Sequence, residues 1–367
     1  MVQASVMTGR IGRWLAVGTV SLSAFVPWNV SHGWAGGRPA TLPASHGHLP
    51  SWQVLVAAAS APHLSHPKGL AIDRRGPGVQ KWLYVADTGD NRIVKLGTGG
   101  RFLGSWGSRG TGPGQFQQPQ GIAIDRQGNV YVADTGNNRI QKFGPQGRFL
   151  IQWGTHGTGP GQFDLPAAVA VGGSGNVFVA DRKNGRIEKF SPSGHLLAVW
   201  PVFIPASSNP AGFGPRGPYA LTVDASGNVS TAIDTGQCSG GHCVMDYIAL
   251  QTLNPSGKVV RTVVGSNPYG PFSYQPVPGV TGQGPWWQIG ALTADSRGHL
   301  FLAEWNPQNQ SSVTKLSPPA KQIGQWELPA PSGERGWPSQ GIALDPRGNV
   351  YVSDTLANRV LKLIFQP

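Results

Sequence analysis

The chain has 367 residues, including 53 glycines, 32 prolines and 13 tryptophans; 39% of residues are hydrophobic, 13% are charged, and the formal net charge is +12. So much turn-forming residue argues for many short strands, and the hydrophobic share excludes a disordered chain. The basic excess reflects scarce acids, 17 in all, rather than one lysine block, so it permits polyanion binding without pointing to nucleic acid.

In chain order, Arg10 and Arg13 precede an apolar stretch at 14–26 that Pro27 ends, and small residues follow at Gly33, Ala35 and Gly36. Residues 1–35 therefore read as a signal peptide cut after Ala35, with an uncleaved membrane anchor as the alternative, although a spanning helix needs about 20 apolar residues. This reading makes the protein secreted or held in the cell envelope, and the anchor would be its only link to a membrane. Residues 36–50 (GGRPATLPASHGHLP) read as a flexible linker, and 51–367 as the folded part.

From residue 69 onward the chain repeats itself. GLAID (69–73) and LYVADTGDNRI (83–93) return as GIAID (121–125) and VYVADTGNNRI (130–140), then as AVAV (168–171), VFVAD (177–181) and RIEKF (186–190). Asp87, Asp134 and Asp181 recur at a constant interval of 47 residues. Looser copies carry Asp224 with Asp234 and Asp295 with Glu304, and a sixth carries Asp345, Asp354 and Arg359. Each copy holds four short apolar runs separated by turns such as DRQGN and GPQG, in which Gly supplies a positive φ. Six such units predict an all-β, six-bladed β-propeller of four-stranded antiparallel blades. The sixth copy stops after its third strand, so the run at 52–58 (WQVLVAA) is expected to supply the missing outer strand and close the ring.

The pattern P-x-GIAID … NVYVADTGNNRI … KF resembles NHL repeats, closely in copies one, two, three and six and loosely in four and five. The resemblance implies the propeller fold but leaves function open. It raises two catalytic comparisons. Amidating lyases of similar architecture hold zinc through Pro-His pairs that open inner strands; the matching places here read Pro67-Lys68, Pro119-Gln120, Pro166-Ala167 and Pro218-Tyr219. His66, His156, His242 and His299 fall at unlike positions in the repeat. Lactonase-type propellers hold calcium near the channel with Glu, Asn and Asp, and Glu304 with several asparagines keeps that alternative open.

An active site needs its residues once, and the polar residues here are repeated. Asp87 with Arg92, Asp134 with Arg139, Asp181 with Arg186 and Asp354 with Arg359 share one spacing and read as loop-stabilising pairs. Ten of the 17 acids occupy repeat positions, leaving few for acid–base chemistry or calcium. No cofactor is expected, apart from the possible channel metal ion, and binding is favoured over catalysis.

Divergence begins after Trp200. The stretches leading into copies four and five are longer and carry Phe213, Tyr219, Tyr269, Tyr274, Trp286 and Trp287, while Trp305 follows Glu304. These aromatics are the candidate ligand-binding residues, since long loops on a rigid scaffold tend to carry binding. The expected partner is a protein, peptide or glycan, or an anionic polymer of the envelope. Cys238 and Cys243 bracket Ser-Gly-Gly-His and are expected to form a local disulfide; a zinc set with His242 is the alternative and lacks a fourth ligand.

Overall fold

A computed structural model describes residues 50–56, 63–73, 81–202, 217–234, 237–239, 242–244, 248–265, 283–284, 288–305, 311–318, 320–329 and 340–365. Residues 1–49, which hold the expected signal peptide and nearly all of the expected linker, lie outside them. No helix among the described residues is long and apolar enough to cross a membrane.

The chain folds as a six-bladed β-propeller. Blade 1 runs Pro67–Ile72, Trp82–Asp87, Arg92–Gly97 and Phe102–Trp106 from channel to rim; blade 2 runs Pro119–Ile124, Val130–Asp134, Arg139–Phe143 and Phe149–Trp153. Blade 3 uses Pro166–Val171, Val177–Asp181, Arg186–Phe190 and Leu196–Pro201; blade 4 uses Gly217–Val223, Val229–Asp234, Ile248–Leu253 and Val259–Gly265. Blade 5 is Gln288–Ala294, Leu300–Trp305, Ser311–Leu316 and Gln322–Glu327. Blade 6 takes Gly341–Leu344, Val350–Asp354 and Arg359–Ile364 from the end of the chain, and its outer strand is Ser51–Val56, antiparallel to Arg359–Ile364. The ring closes as the sequence predicts. Blade 4 differs by a short parallel addition, Gln283–Gly284, and by a hairpin, Gln237–Ser239 with His242–Val244, between its second and third strands.

The apolar runs do not alternate with polar residues, because both faces of each blade are covered. In blade 1, Leu83 and Val85 pack toward blade 6, while Tyr84 and Ala86 pack toward blade 2. Six interblade layers of this kind replace a single core. Aromatic side chains thicken the outer part of these layers. Trp106 ends the outer strand of blade 1 and meets Tyr84 and Phe143, each with ring centroids 5.9 Å away, and Trp153 repeats the arrangement with Tyr131 and Phe190 at 6.3 and 5.8 Å. Such contacts add to the area that each ring buries.

Two repeated hydrogen bonds tie several blades to their neighbours. On one side of the ring, Lys95 and Tyr84 donate to the carbonyl of Pro145, and Lys142 donates to that of Pro192, each at 3.0 Å. On the other side, the threonine after the repeat aspartate donates to the proline that opens the next inner strand: Thr88 to Pro119 at 2.6 Å, Thr135 to Pro166 at 2.8 Å, and Thr355 to Pro67 at 2.8 Å. The last of these joins blade 6 to blade 1 and so locks the ring.

In blades 1, 2, 3 and 6 the repeated Asp–Arg pairs hold the loop that leads into the blade. Asp134 accepts the Gln117 backbone N–H at 2.7 Å on one oxygen and Arg139 Nε at 2.8 Å on the other. Arg139 then donates to the carbonyls of Thr111, Gly112 and Gln115. Asp181 and Arg186 repeat this set on Asp164 N–H and on the carbonyls of Thr158, Gly159 and Gln162. Asp87–Arg92 and Asp354–Arg359 close at the same 2.8 Å.

One position in this network changes chemistry between blades. In blade 2, Gln141 accepts from Gly114 N–H and donates to the Gln115 carbonyl and to Asp134. In blade 3 the equivalent residue is Glu188, which accepts from Gly161 N–H at 2.9 Å and lies 2.7 Å from Arg186 Nη2. Burial pushes its carboxyl up to about 7 against the pull of Arg186, and the nearby Asp181 charge adds to the rise.

Candidate ligand site at the channel mouth

The inner strands of the six blades stand side by side around a central channel. The motif that opens them, Pro-x-Gly in blades 1 and 2, sets how they meet. A side chain at Gly69 would strike the Gln120 carbonyl, one at Gly121 the backbone of Ala168, and one at Gly341 the Lys68 carbonyl. Glycine is therefore required by the close approach of adjacent inner strands. Just before it the ladder slips: the register shifts between Pro67 and Leu70, between Pro119 and Ile122, and between Pro218 and Ala220. Such bulges re-aim side chains, and here the residue after proline lines the channel.

A cavity of about 250 Å³ opens there, lined by residues of all six inner strands or the positions just before them. The residue after proline is Lys68 in blade 1, Gln120 in blade 2, Ala167 in blade 3 and Tyr219 in blade 4; Gly290 and Gln340 take the matching places in blades 5 and 6, and Ile289, at the proline's place in blade 5, also lines the cavity. Two further lining residues come from the ends of second strands. Arg182 follows the repeat Asp181, and Trp305 follows Glu304. Both stand where blades 1, 2 and 6 carry the threonine that clamps the neighbouring proline. Blades 3 and 5 have given up that clamp position to side chains that face the cavity.

The charge in this mouth is one-sided. Among the described residues that line it there are two cations and no carboxylate, histidine or thiol. The half-buried Lys68 ammonium has no hydrogen bond or ion pair among the described residues, and both burial and the charge of Arg182 lower it from its ordinary value. The Arg182 guanidinium carbon lies 5.9 Å from the centre of the Tyr219 ring, within reach of cation–π attraction. Nearby, Glu304 is buried with one oxygen accepting from Thr314 Oγ1 at 2.5 Å and the other unpartnered, and burial pushes its carboxyl up to about 7.

Of the residues expected from sequence to bind ligand, Tyr219 and Trp305 are brought together in this cavity; Phe213, Tyr269, Tyr274, Trp286 and Trp287 lie outside the described residues. Cys238 and Cys243 have backbones directly opposed in the blade 4 hairpin, and their side chains lie outside the description. His66 precedes the first inner strand, His156 sits in the loop before blade 3, and His299 pairs with Asp295 at 2.7 Å in a turn. These three are not gathered at one point. No group of three or more His, Cys, Asp or Glu that could hold a metal occurs among the described residues, and two cations at the mouth repel a divalent ion. The calcium expectation thus finds no donor set in the described lining.

Lys68, Arg182, Gln120 and Gln340 were missed as candidates by sequence reasoning. Their signal was present in the repeat itself, as the positions where a constant pattern gives way to a different residue in each blade.

Comparison with known proteins agrees with this architecture. The NHL repeat family model matches residues 116–143 and 163–190, which cover the three inner strands of blades 2 and 3 and the end of the loop before each. The chain thus carries NHL repeats in these two blades of its six-bladed β-propeller. Comparison with curated protein sequences finds no match. Among solved structures, a gluconolactonase from Xanthomonas campestris is 11% identical, with 86% of this chain and 90% of that one covered and a TM-score of 0.55. Virginiamycin B lyase from Staphylococcus aureus is 14% identical over 87% of this chain and 100% of that one, with a TM-score of 0.52. Hydrazine synthase from Kuenenia stuttgartiensis is also 14% identical, over 84% and 79%, with a TM-score of 0.52. Three unrelated chemistries at such low identity show the fold alone.

Proposed function

We propose that the protein is an extracytoplasmic binding module whose channel mouth takes a small anionic ligand. The observation that carries this reading is Lys68, a half-buried ammonium without a partner among the described residues, in a cavity that a second cation also lines. A charge held partly out of water without compensation costs stability, and an incoming carboxylate, phosphate or sulfate would offset that cost through charge-assisted hydrogen bonds. The cavity lies below the range of about 300–1,000 Å³ common for drug-sized ligands, so the ligand is a small molecule or the acidic end group of a larger peptide or glycan. The described lining holds no carboxylate, histidine or thiol that would repel such an anion or compete for its place.

Titration calorimetry with small anions tests the reading. Binding is expected to weaken with added salt, and to fade as pH rises through the lowered Lys68 value, because only the protonated amine attracts the anion. Lys68→Gln is expected to remove it, and unchanged affinity in that variant would overturn the proposal.

A further inference from the structure

The two halves of the channel mouth differ in chemistry, and blade membership fixes where each side chain stands. Blades 6, 1 and 2, which are neighbours around the ring, supply Gln340, Lys68 and Gln120: an ammonium between two amides. Blades 4 and 5 supply Tyr219, Ile289 and Trp305, two aromatic rings and an aliphatic side chain. A site built for a bare inorganic ion would have polar groups all round. A site built for a neutral ring would not hold an unpartnered ammonium.

We infer that the ligand is an aromatic carboxylate, with its acid group beside Lys68 and the flanking amides of Gln340 and Gln120, and its ring against Tyr219, Ile289 and Trp305. The inference rests on the anion-binding reading above and adds the apolar half. A carboxylate offers about four acceptor sites, more than the three N–H donors of one ammonium, and the amide N–H groups supply further donors. Aromatic side chains offer a flat ring large contact area in offset or edge-on geometry. Arg182, near the Tyr219 ring, sits at the border of the two halves and adds positive charge over whichever ring stacks there. The volume of about 250 Å³ suits one ring and its acid rather than a fused system.

Calorimetry on the full chain with acetate, phenylacetate and 2-phenylethanol separates the two halves. Phenylacetate is expected to bind at least tenfold tighter than acetate and at least tenfold tighter than the alcohol. Trp305→Ala is expected to reduce the advantage over acetate to less than threefold, with Tyr219→Ala as a second variant should the first fail to fold. Equal affinity for acetate and phenylacetate would overturn this inference and leave the anion site standing. Equal affinity for phenylacetate and phenylethanol would overturn the anion site itself, and no binding of any probe would overturn both.

Discussion

Thr135 in blade 2 and Arg182 in blade 3 occupy the same step of the repeat, one residue past a buried aspartate, and do different work. Thr135 donates to the Pro166 carbonyl and fastens blade 2 to blade 3. Arg182 lines the channel mouth near Tyr219. Trp305 makes the same departure in blade 5. The contrast separates two kinds of residue at one step of the motif: those that recur and join a blade to its neighbour, and those that appear once and face the cavity. Repetition marks structure, and its interruption marks the site.

The largest effect is expected where the repeated set is broken. Asp134→Ala leaves the buried Arg139 without its carboxylate and Gln117 N–H without an acceptor, at a site where Asp134 itself is fully buried. Removing one member of such a pair costs about 3–5 kcal/mol, which chemical denaturation would read directly. A loss below about 1 kcal/mol would mean that the repeated pairs are not the fasteners described here.

Next comes the Gln141–Glu188 difference. The Glu188 carboxyl, raised to about 7 by burial, takes up a proton more readily in the folded chain than in the unfolded one. Its contribution is therefore full below its unfolded value of 4.5 and is lost as pH rises to about 7. Glu188→Gln reproduces the blade 2 arrangement and is expected to add about 2 kcal/mol at pH 8 and almost nothing at pH 5. Equal gains at both pH values would remove ionisation as the cause.

Smaller effects belong to the mouth. Arg182→Thr restores the residue of blades 1, 2 and 6 and is expected to change stability by less than about 1 kcal/mol. Lys68→Gln removes an unpartnered charge and is expected to stabilise the ligand-free protein by about 0.5–1 kcal/mol. A loss of more than about 2 kcal/mol in either variant, read by thermal unfolding, would show that these cations serve the fold rather than a ligand.

The fold was legible because its determinants are local and recur. Asp-x-x-Gly-Asn turns, apolar runs of fixed length and the outer strand at the start of the chain are all visible in one dimension. Tyr219 and Trp305 were legible as aromatics at points of divergence. Lys68 was not, although it directly follows the Pro67 that opens the first inner strand. Its importance comes from a bulge that turns the residue toward the channel and from Arg182, which blade 3 brings around the ring. That proximity depends on ring closure rather than on spacing. The buried ionisation of Glu188 was equally hidden, since its cause is the layer between blades 2 and 3.

The central claim, that the interrupted repeat positions form an anion site, is tested most directly by anomalous diffraction from crystals of the protein soaked in bromide. The account predicts a bromide at the channel mouth within contact of Lys68 or Arg182, and its absence from Lys68→Gln crystals treated alike. Bromide confined to lysines and arginines of the outer surface, with none at the mouth, would contradict it.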